Sequence, residues 1–126
     1  MEADTPLIRD ISEVEFEESK PAWYAKPIKR KVLWKDPNTG ALHLIITYPQ
    51  GLGAPEHRHN CAHTMFILDG HMVINGKTYG KGTYAHFPAN KPMVHTTPDD
   101  DDCTFLLFFE KSPEFTVEGG KTYKVG

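Results

Sequence analysis

The histidines within residues 51–70 constrain most strongly what this chain can fold into. Three of the seven histidines lie there, at His57, His59 and His63. One residue separates His57 from His59, so an extended backbone would direct both imidazoles to the same face of a strand. Neutral imidazole is the commonest protein ligand for a transition metal. The pattern therefore predicts three ligands of one ion; the alternative is three unrelated surface histidines in a polar loop.

Short apolar runs separated by turn signals follow these histidines. Residues 64–68 are predicted to form a buried strand that a turn at Asp69 and Gly70 ends. Asn75 and Gly76 separate two further strand-like runs, and this dipeptide predicts a type I′ hairpin, whose central residues both need positive φ. The histidines thus begin a series of short antiparallel strands, and an all-β fold is expected.

Turn-forming residues also divide the remainder of the chain into short segments. Ten prolines and ten glycines are spread along it and leave little room for helix. Residues 28–34 and 41–48 are strand candidates on either side of a Pro/Asn/Gly turn. Residues 103–109 are apolar at successive positions, which predicts a central strand buried on both faces.

Length and composition exclude several functional classes. A chain of 126 residues supports one core, and its formal net charge of −3 offers no basic face for nucleic acid. No stretch approaches the roughly 20 apolar residues of a membrane span. The N-terminus has no apolar core of a secretory signal. Two cysteines do not make a disulfide framework, so we expect a cytoplasmic protein with reduced thiols.

The other four histidines carry weaker signals. His43 lies in an apolar strand and is expected to be a sheet-face histidine bonded to backbone. His71 is assigned to the surface, whereas His86 could face the site or point away from it. His95 follows a turn with two prolines, and its interest is as a possible fourth ligand that returns from a neighbouring strand.

Residues 51–99 resemble the two sequence motifs of the cupin superfamily. The first motif is matched by the spacing Gly51-x5-His57-x-His59-x3-His63-x6-Gly70. The second is matched by Gly82-x5-Pro88, with Asn90 in place of the next glycine, His95 two residues later than usual, and Asp99 in place of the final asparagine. Asparagine tolerates the left-handed conformation that a glycine would supply there.

The cupin resemblance implies a double-stranded β-helix, the jelly-roll barrel, as a single domain. Its expected parts are an N-terminal arm at residues 1–27, a barrel core at 28–110 and a C-terminal strand or tail at 111–126. The resemblance also implies a divalent transition metal, Fe, Mn, Ni, Co or Zn, bound by His57, His59, His63 and His95. His63 stands where cupins usually have glutamate, which makes this chain similar to small cupins with four metal-binding histidines.

Imidazole in place of carboxylate changes the expected chemistry of such a metal. A neutral ligand leaves the full dipositive charge on the ion, which should raise its Lewis acidity and disfavour higher oxidation states. Four imidazoles would leave two open positions in an octahedron. They would leave none in a tetrahedron, where a zinc ion would be structural.

Neighbouring residues define a coarse pocket. If His63 faces inward, Met65 and Ile67 share its face and make the wall apolar. His86 is the rival of His95 for the fourth ligand position and a possible residue of the pocket lining. Cys61 lies in the loop between ligands and could be a thiol near the metal, a soft ligand or an ordinary loop residue.

The resemblance implies a metal-dependent dioxygenase that acts on a small organic molecule, for example by cleaving a carbon–carbon bond of a diketone or phenolic ketone with dioxygen. A metal-loaded cupin that binds or senses a small ligand without turnover is the alternative. A sugar-nucleotide epimerase or isomerase is disfavoured, because no histidine–carboxylate pair and no basic diphosphate site stand out. Barrels of this type are often dimers, so a homodimer is expected.

Overall fold

Most strands of this chain are short, and the described strand pairs are antiparallel. The computed structural model describes residues 5–20, 24–117 and 122–124. A single-turn 3₁₀ helix, Ile11–Glu13, precedes the strands. The strands are β1 (Glu17–Ser19), β2 (Ile28–Lys35), β3 (Leu42–Tyr48), β4 (His57–His59), β5 (His63–Ile74), β6 (Lys77–Gly80), β7 (Tyr84–Phe87), β8 (His95–Thr96), β9 (Cys103–Phe109), β10 (Glu114–Val117) and β11 (Thr122–Lys124).

These strands form two antiparallel sheets. The larger, eight-stranded sheet has the order β1-β2-β3-β9-β5-β6, and β7 and β8 also pair with β5. The smaller, three-stranded sheet has the order β11-β10-β4. The prediction of an all-β, antiparallel chain is confirmed. Within the described ranges, no helix has the length and hydrophobicity of a membrane span.

The core lies on the inner face of the larger sheet. Its central strand β9 pairs with β3 in continuous antiparallel register and with β5 in a register that shifts once, so the inward side chains of the three strands lie side by side. These inward side chains are Leu42, Leu44, Ile46 and Tyr48 of β3, Met65, Ile67 and Met72 of β5, and Cys103, Phe105, Leu107 and Phe109 of β9. Apolar side chains at alternate positions thus account for the barrel interior.

The prediction that β9 is buried on both faces is wrong. Phe105 is fully buried on the inner face, but Phe108 on the outer face is 37% exposed. Leu106 is only half-buried. Successive side chains of a strand point to opposite faces, and the outer face of this central strand is partly open. An apolar sequence on both faces therefore does not require burial on both.

The predicted turn at Asp69 and Gly70 is also wrong, since β5 continues through both residues to Ile74. The pairing of β5 with β9 shifts register between Ile67 and Asp69, and Gly70 has a φ of +79°. A Cβ at Gly70 would collide with the carbonyl oxygen of Asp102. The glycine therefore marks a β-bulge with close backbone approach, not a turn.

The predicted hairpin at Asn75 and Gly76 is confirmed. Their φ angles are +49° and +85°, as a type I′ turn requires, and Ile74 pairs with Lys77 across the turn. The backbone N–H of Val94 donates to the Asn75 side chain. This turn therefore also anchors the segment that leads into β8.

Both ends of the chain add strands to the barrel. In the predicted N-terminal arm, β1 pairs with β2. The Glu17 carboxylate lies 2.6 Å from the Arg30 Nε. At the C-terminal end, β10 pairs with both β11 and β4, so this region contributes two strands and not one edge strand. Residues 1–4, 21–23, 118–121 and 125–126 lie outside the described ranges.

Candidate metal centre

The two histidines of β4 point into the barrel. His57 is 2% and His59 is 6% exposed, whereas Arg58 between them is exposed. This follows from strand alternation, as the sequence predicts. β4 is held on one side by β10 and on the other by Met93, which exchanges two backbone hydrogen bonds of 2.9 and 2.7 Å with His57. The backbone therefore fixes the direction of both rings.

His95 reaches the same place from a different part of the chain. It begins β8, where it pairs with Ile74 of β5, and it is 5% exposed. Asn90, with a φ of +61°, donates its backbone N–H to the His59 carbonyl and starts the segment that returns to the site. The Nε2 of His95 lies 3.3 Å from the Nε2 of His57. The two-residue displacement in the motif thus does not keep His95 from the site.

Among the described residues, His57, His59 and His95 form a group that is suited to a metal ion. One ring nitrogen of each lies within 4.8 Å of the corresponding nitrogens of the other two, and all three side chains are buried. His63 is not part of this group. Its ring centroid is 4.4 Å from that of His59, and it stacks on Phe87 at 4.8 Å.

Burial keeps these imidazoles neutral. Desolvation lowers the pKa of His57 and of His63 to about 4. Desolvation, with smaller contributions from His63 and His57, lowers the pKa of His59 to about 2. Burial among the other histidines also holds the pKa of His95 well below its usual range. At neutral pH each ring therefore has one nitrogen that carries no hydrogen.

The hydrogen bond of His57 fixes which of its nitrogens carries that lone pair. Its Nδ1 lies 2.9 Å from the carbonyl oxygen of Pro55. A carbonyl only accepts, so Nδ1 carries the hydrogen and Nε2 presents its lone pair toward His95. A neutral imidazole can present one ring nitrogen to a metal, and buried imidazoles are ligands that divalent transition metals take. The residues present therefore fit such an ion.

Family comparison agrees with this fold. The sequence matches the family model of the ChrR cupin-like domain over residues 5–113. The chain belongs to the ChrR cupin-like domain family. No curated protein matches the sequence significantly.

Solved structures similar to this ChrR-like cupin have the same fold. A candidate acetylacetone dioxygenase from Methylibium petroleiphilum PM1 superposes with a TM-score of 0.83 at 20% identity, over 100% of this chain and 92% of that one. An acetylacetone dioxygenase from Acinetobacter johnsonii gives 0.82 at 19% identity, over 100% and 89%. The anti-sigma protein ChrR of Rhodobacter sphaeroides, solved with SigE, gives 0.62 at 16% identity, over 81% and 51%. At these identities the likeness shows the fold, and it confirms the predicted cupin barrel.

The predicted pocket residues of this cupin divide into inner and outer ones. Met65 and Ile67 are 1% and 0% exposed and share the inner face with His63, as predicted. Cys61 is also buried, with its thiol 3.8 Å from the Lys111 carbonyl. Desolvation raises the pKa of the Cys61 thiol. A cysteine binds a metal as the thiolate, so this shift disfavours Cys61 as a ligand.

His86 does not line the interior. It is exposed on the outer face of β7, where its Nδ1 lies 3.1 Å from the Thr64 hydroxyl. The cross-strand register explains this position, because Thr64 pairs with His86 while His63 pairs with Phe87. The inner position of β7 next to the site therefore belongs to Phe87.

His43 and His71 lie away from the cluster. His43 is half-buried on the sheet face, as expected, but its described contacts are with rings: those of Trp34 and Phe108, at centroid distances of 4.9 and 4.5 Å. His71 is at the surface, as predicted, with its Nδ1 2.5 Å from an Asp101 carboxylate oxygen.

Sequence reasoning missed an aromatic residue of the site wall and a hydrogen-bond partner of one histidine. Phe109 lies 5.5 Å from His59 and 5.2 Å from His63, centroid to centroid, and closes the apolar wall with Phe87. Tyr48 places its hydroxyl 3.1 Å from the Nδ1 of His95. The signal for Tyr48 was its inward position at the end of an alternating apolar strand, since a buried tyrosine hydroxyl usually finds a partner.

Proposed function

We propose that this cupin binds one divalent transition metal (Fe, Mn, Ni, Co or Zn) inside its barrel and acts as a dioxygenase-type oxidoreductase on a small organic substrate. The observation that carries this proposal is the group of buried imidazoles, His57, His59 and His95, whose ligand nitrogens lie within 4.8 Å of one another. Buried, neutral imidazoles gathered this closely are a typical arrangement for holding a divalent cation.

His63 is proposed as the fourth ligand. Its Nδ1 is buried and makes no hydrogen bond of normal geometry among the described residues, although the nearby Cys61 backbone partly offsets the effect of burial on its pKa. A buried polar atom without such a bond is costly unless something else satisfies it. If the His63 ring turned toward its neighbour His59, its Nδ1 could bind the same metal ion, and the ion would then be the missing partner.

The protein around these ligands would select an apolar substrate. Phe87 and Phe109 lie against the His63 ring, and Met65 and Ile67 share the buried inner face of β5 with it. A diketone or phenolic ketone has two adjacent or chelating oxygens and an apolar skeleton that suits such a wall. When bound, the metal would act as a Lewis acid toward the substrate oxygens in a reaction with dioxygen. The histidines, with pKa values held low, would not serve as acids at neutral pH.

A metal-loaded cupin that binds or senses a small ligand without turnover is the second candidate. The observation that favours it is membership of the family named for the ChrR cupin-like domain, together with the similarity to an anti-sigma protein. In that case the same buried histidines would stabilise one ligand-bound conformation and not a transition state.

The decisive experiment uses the protein without a histidine tag. Bound transition metals are measured by mass spectrometry, and oxygen uptake is then followed with a panel of β-diketones. Metal near one ion per chain with oxygen uptake supports the enzyme. Metal with substrate binding but no uptake supports the sensor, and a protein that takes up no transition metal contradicts both.

The predicted cytoplasmic homodimer stays a prediction. The two cysteines, Cys61 and Cys103, are free and buried, which is consistent with a reducing compartment. Phe66, Tyr84 and Phe108 are 39%, 65% and 37% exposed on neighbouring strands of the outer face, where a second copy would bury them. Sedimentation velocity of the untagged protein tests this; the mass of a single chain at micromolar concentration would contradict it.

A further inference from the structure

A buried chain of hydrogen bonds leads from His95 away from the other imidazoles. The Tyr48 hydroxyl lies 3.1 Å from the Nδ1 of His95 and 2.5 Å from the Tyr24 hydroxyl. Tyr24, Tyr48 and His95 are 7%, 2% and 5% exposed. The Tyr48 and His95 rings are almost parallel, at 9° and a centroid distance of 5.6 Å. Both the stacking and the hydroxyl of Tyr48 therefore act on this one imidazole.

The donor direction along this chain follows from His57. Its Nδ1 donates to Pro55, so its Nε2 can only accept. A hydrogen bond across the 3.3 Å between the two Nε2 atoms therefore requires the hydrogen on the Nε2 of His95. The Nδ1 of His95 then accepts from Tyr48, and the Tyr48 oxygen accepts from Tyr24. Every donor points from Tyr24 toward Pro55.

Metal binding requires the opposite direction. If both Nε2 atoms face one ion, each must present a lone pair, and the hydrogen of His95 must be on Nδ1. That N–H can only donate to the Tyr48 oxygen, and the Tyr48 O–H is then free to donate to Tyr24. Each imidazole and each phenol keeps one hydrogen throughout, so the rearrangement changes tautomer and direction but not the proton count.

We propose that Tyr48 is a positioning residue for His95, and that the Tyr24–Tyr48–His95 chain reverses its donor direction when a metal binds. A phenol suits this role because its oxygen both accepts and donates, so Tyr48 satisfies either tautomer of His95 without movement. The inference rests on the proposed function only in requiring that a metal binds through His57 and His95. Partners that orient a ligand imidazole typically change metal affinity by about 10–100-fold.

The first test observes the tautomer of His95 directly. Heteronuclear NMR of the isotope-labelled imidazole nitrogens is recorded for the full chain before and after addition of Zn²⁺, which has no redox chemistry. The expected result is a change from the Nε2–H to the Nδ1–H form of His95. Zn²⁺ binding that leaves the same His95 tautomer before and after would overturn the reversal. This measurement needs no variant and is independent of whether a substituted protein folds.

The second test measures Zn²⁺ affinity by competition with a chromogenic chelator. Tyr48→Phe keeps the stacked ring and removes the hydroxyl, and we expect a loss of about 10–100-fold. Tyr24→Phe should give a smaller loss, and Tyr84→Phe, at a 65% exposed side chain, should give none. Unchanged affinity in Tyr48→Phe would overturn the positioning role, even if the metal-free variant has a lower melting temperature.

Failure of this inference can be distinguished from failure of the proposed function. A wild-type protein that binds no Zn²⁺ contradicts the metal site itself, and the inference with it. A wild-type protein that binds Zn²⁺, with an unchanged His95 tautomer and an unaffected Tyr48→Phe variant, retains the metal site and contradicts the inference alone.

Discussion

The inner and outer faces of the barrel use the same residue type in opposite ways. The inner face holds His57, His59, His63 and His95, each no more than 6% exposed. The outer face holds His43, His71 and His86, which are half-buried or exposed. The outer histidines contact solvent, a carboxylate, a hydroxyl or aromatic rings. The inner ones lie against each other, apolar walls, a backbone carbonyl and a phenol, and their burial keeps them neutral and able to bind a cation.

Strand register determines which histidine is on which face. On β5 and β7, His63 faces Phe87 on the inside, and Thr64 faces His86 on the outside. A slip of one residue in β7 would exchange His86 and Phe87 and add a histidine to the site. The pairing of β5 with β7 therefore decides which histidines line the site. Equivalent substitutions on the inner and outer faces can be compared directly.

The largest expected effect is removal of an inner ligand. His57→Ala or His59→Ala should lose most of the bound transition metal, with affinity reduced by about 100-fold or more, because each removes one of three convergent nitrogens. Elemental analysis of the untagged variants measures this. His71→Ala, on the outer face, is the control and should keep the wild-type metal content. Stoichiometric metal in both inner variants would refute the site.

Much of this contrast could be predicted from sequence, because it depends on local rules. The single residue between His57 and His59 places both side chains on the same face of any extended backbone. Asn75 and Gly76 favour the positive φ angles of a type I′ turn and so predict the hairpin. The cupin motif supplied His95, which lies far away in sequence from β4. No local rule connects those two segments.

The remaining features depend on register and close approach, which the sequence does not encode locally. Gly70 has the same turn propensity whether it ends a strand or forms a bulge against Asp102, so the predicted turn was wrong. His86 could be placed inside or outside only once its pairing with Thr64 was known. Tyr48 was recognisable as an inward residue, but its contact with His95 joins strands that do not pair with each other.

A smaller effect is expected for His63. If it is the fourth ligand, His63→Ala should weaken Zn²⁺ binding by about 10-fold, less than the loss in His59→Ala, because the three remaining imidazoles still converge. Isothermal titration calorimetry on both variants gives the ratio. Affinity equal to wild type in His63→Ala would leave a site with three histidines and contradict the four-histidine arrangement.

The buried inner histidines should also make the free energy of unfolding depend on pH. A buried histidine with a pKa near 4, such as His57 or His63, binds fewer protons than its unfolded form, which titrates near 6.5. Between these two pH values the unfolded state binds more protons, so acid favours unfolding. The free energy of unfolding should therefore fall as pH drops from about 6.5 toward 4. Above about pH 6.5 these groups should not affect it. Urea unfolding of metal-free protein across this range measures the slope.

Carboxylates also titrate at the acid end, so a matched variant is needed to isolate the histidine contribution. His63→Phe keeps an aromatic ring beside Phe87 and removes one buried titrating group. Its unfolding free energy should change less between pH 6.5 and 4 than that of wild type, by an amount on the order of 1 kcal/mol or more. An identical pH slope in the two proteins would mean that His63 is not held neutral by burial.

The smallest effect is expected for His86, whose substitution tests the difference between the two faces from the outer face. His86 is exposed, and its described contact is a hydrogen bond to the Thr64 hydroxyl. His86→Ala should therefore change the free energy of unfolding by no more than about 0.5 kcal/mol and leave Zn²⁺ affinity within about 2-fold of wild type. Urea unfolding and chelator competition measure both quantities. Because β7 is short and holds His86 and Phe87 on opposite faces, a tenfold loss of Zn²⁺ affinity would mean that the strand occupies the slipped register in solution, with His86 inside.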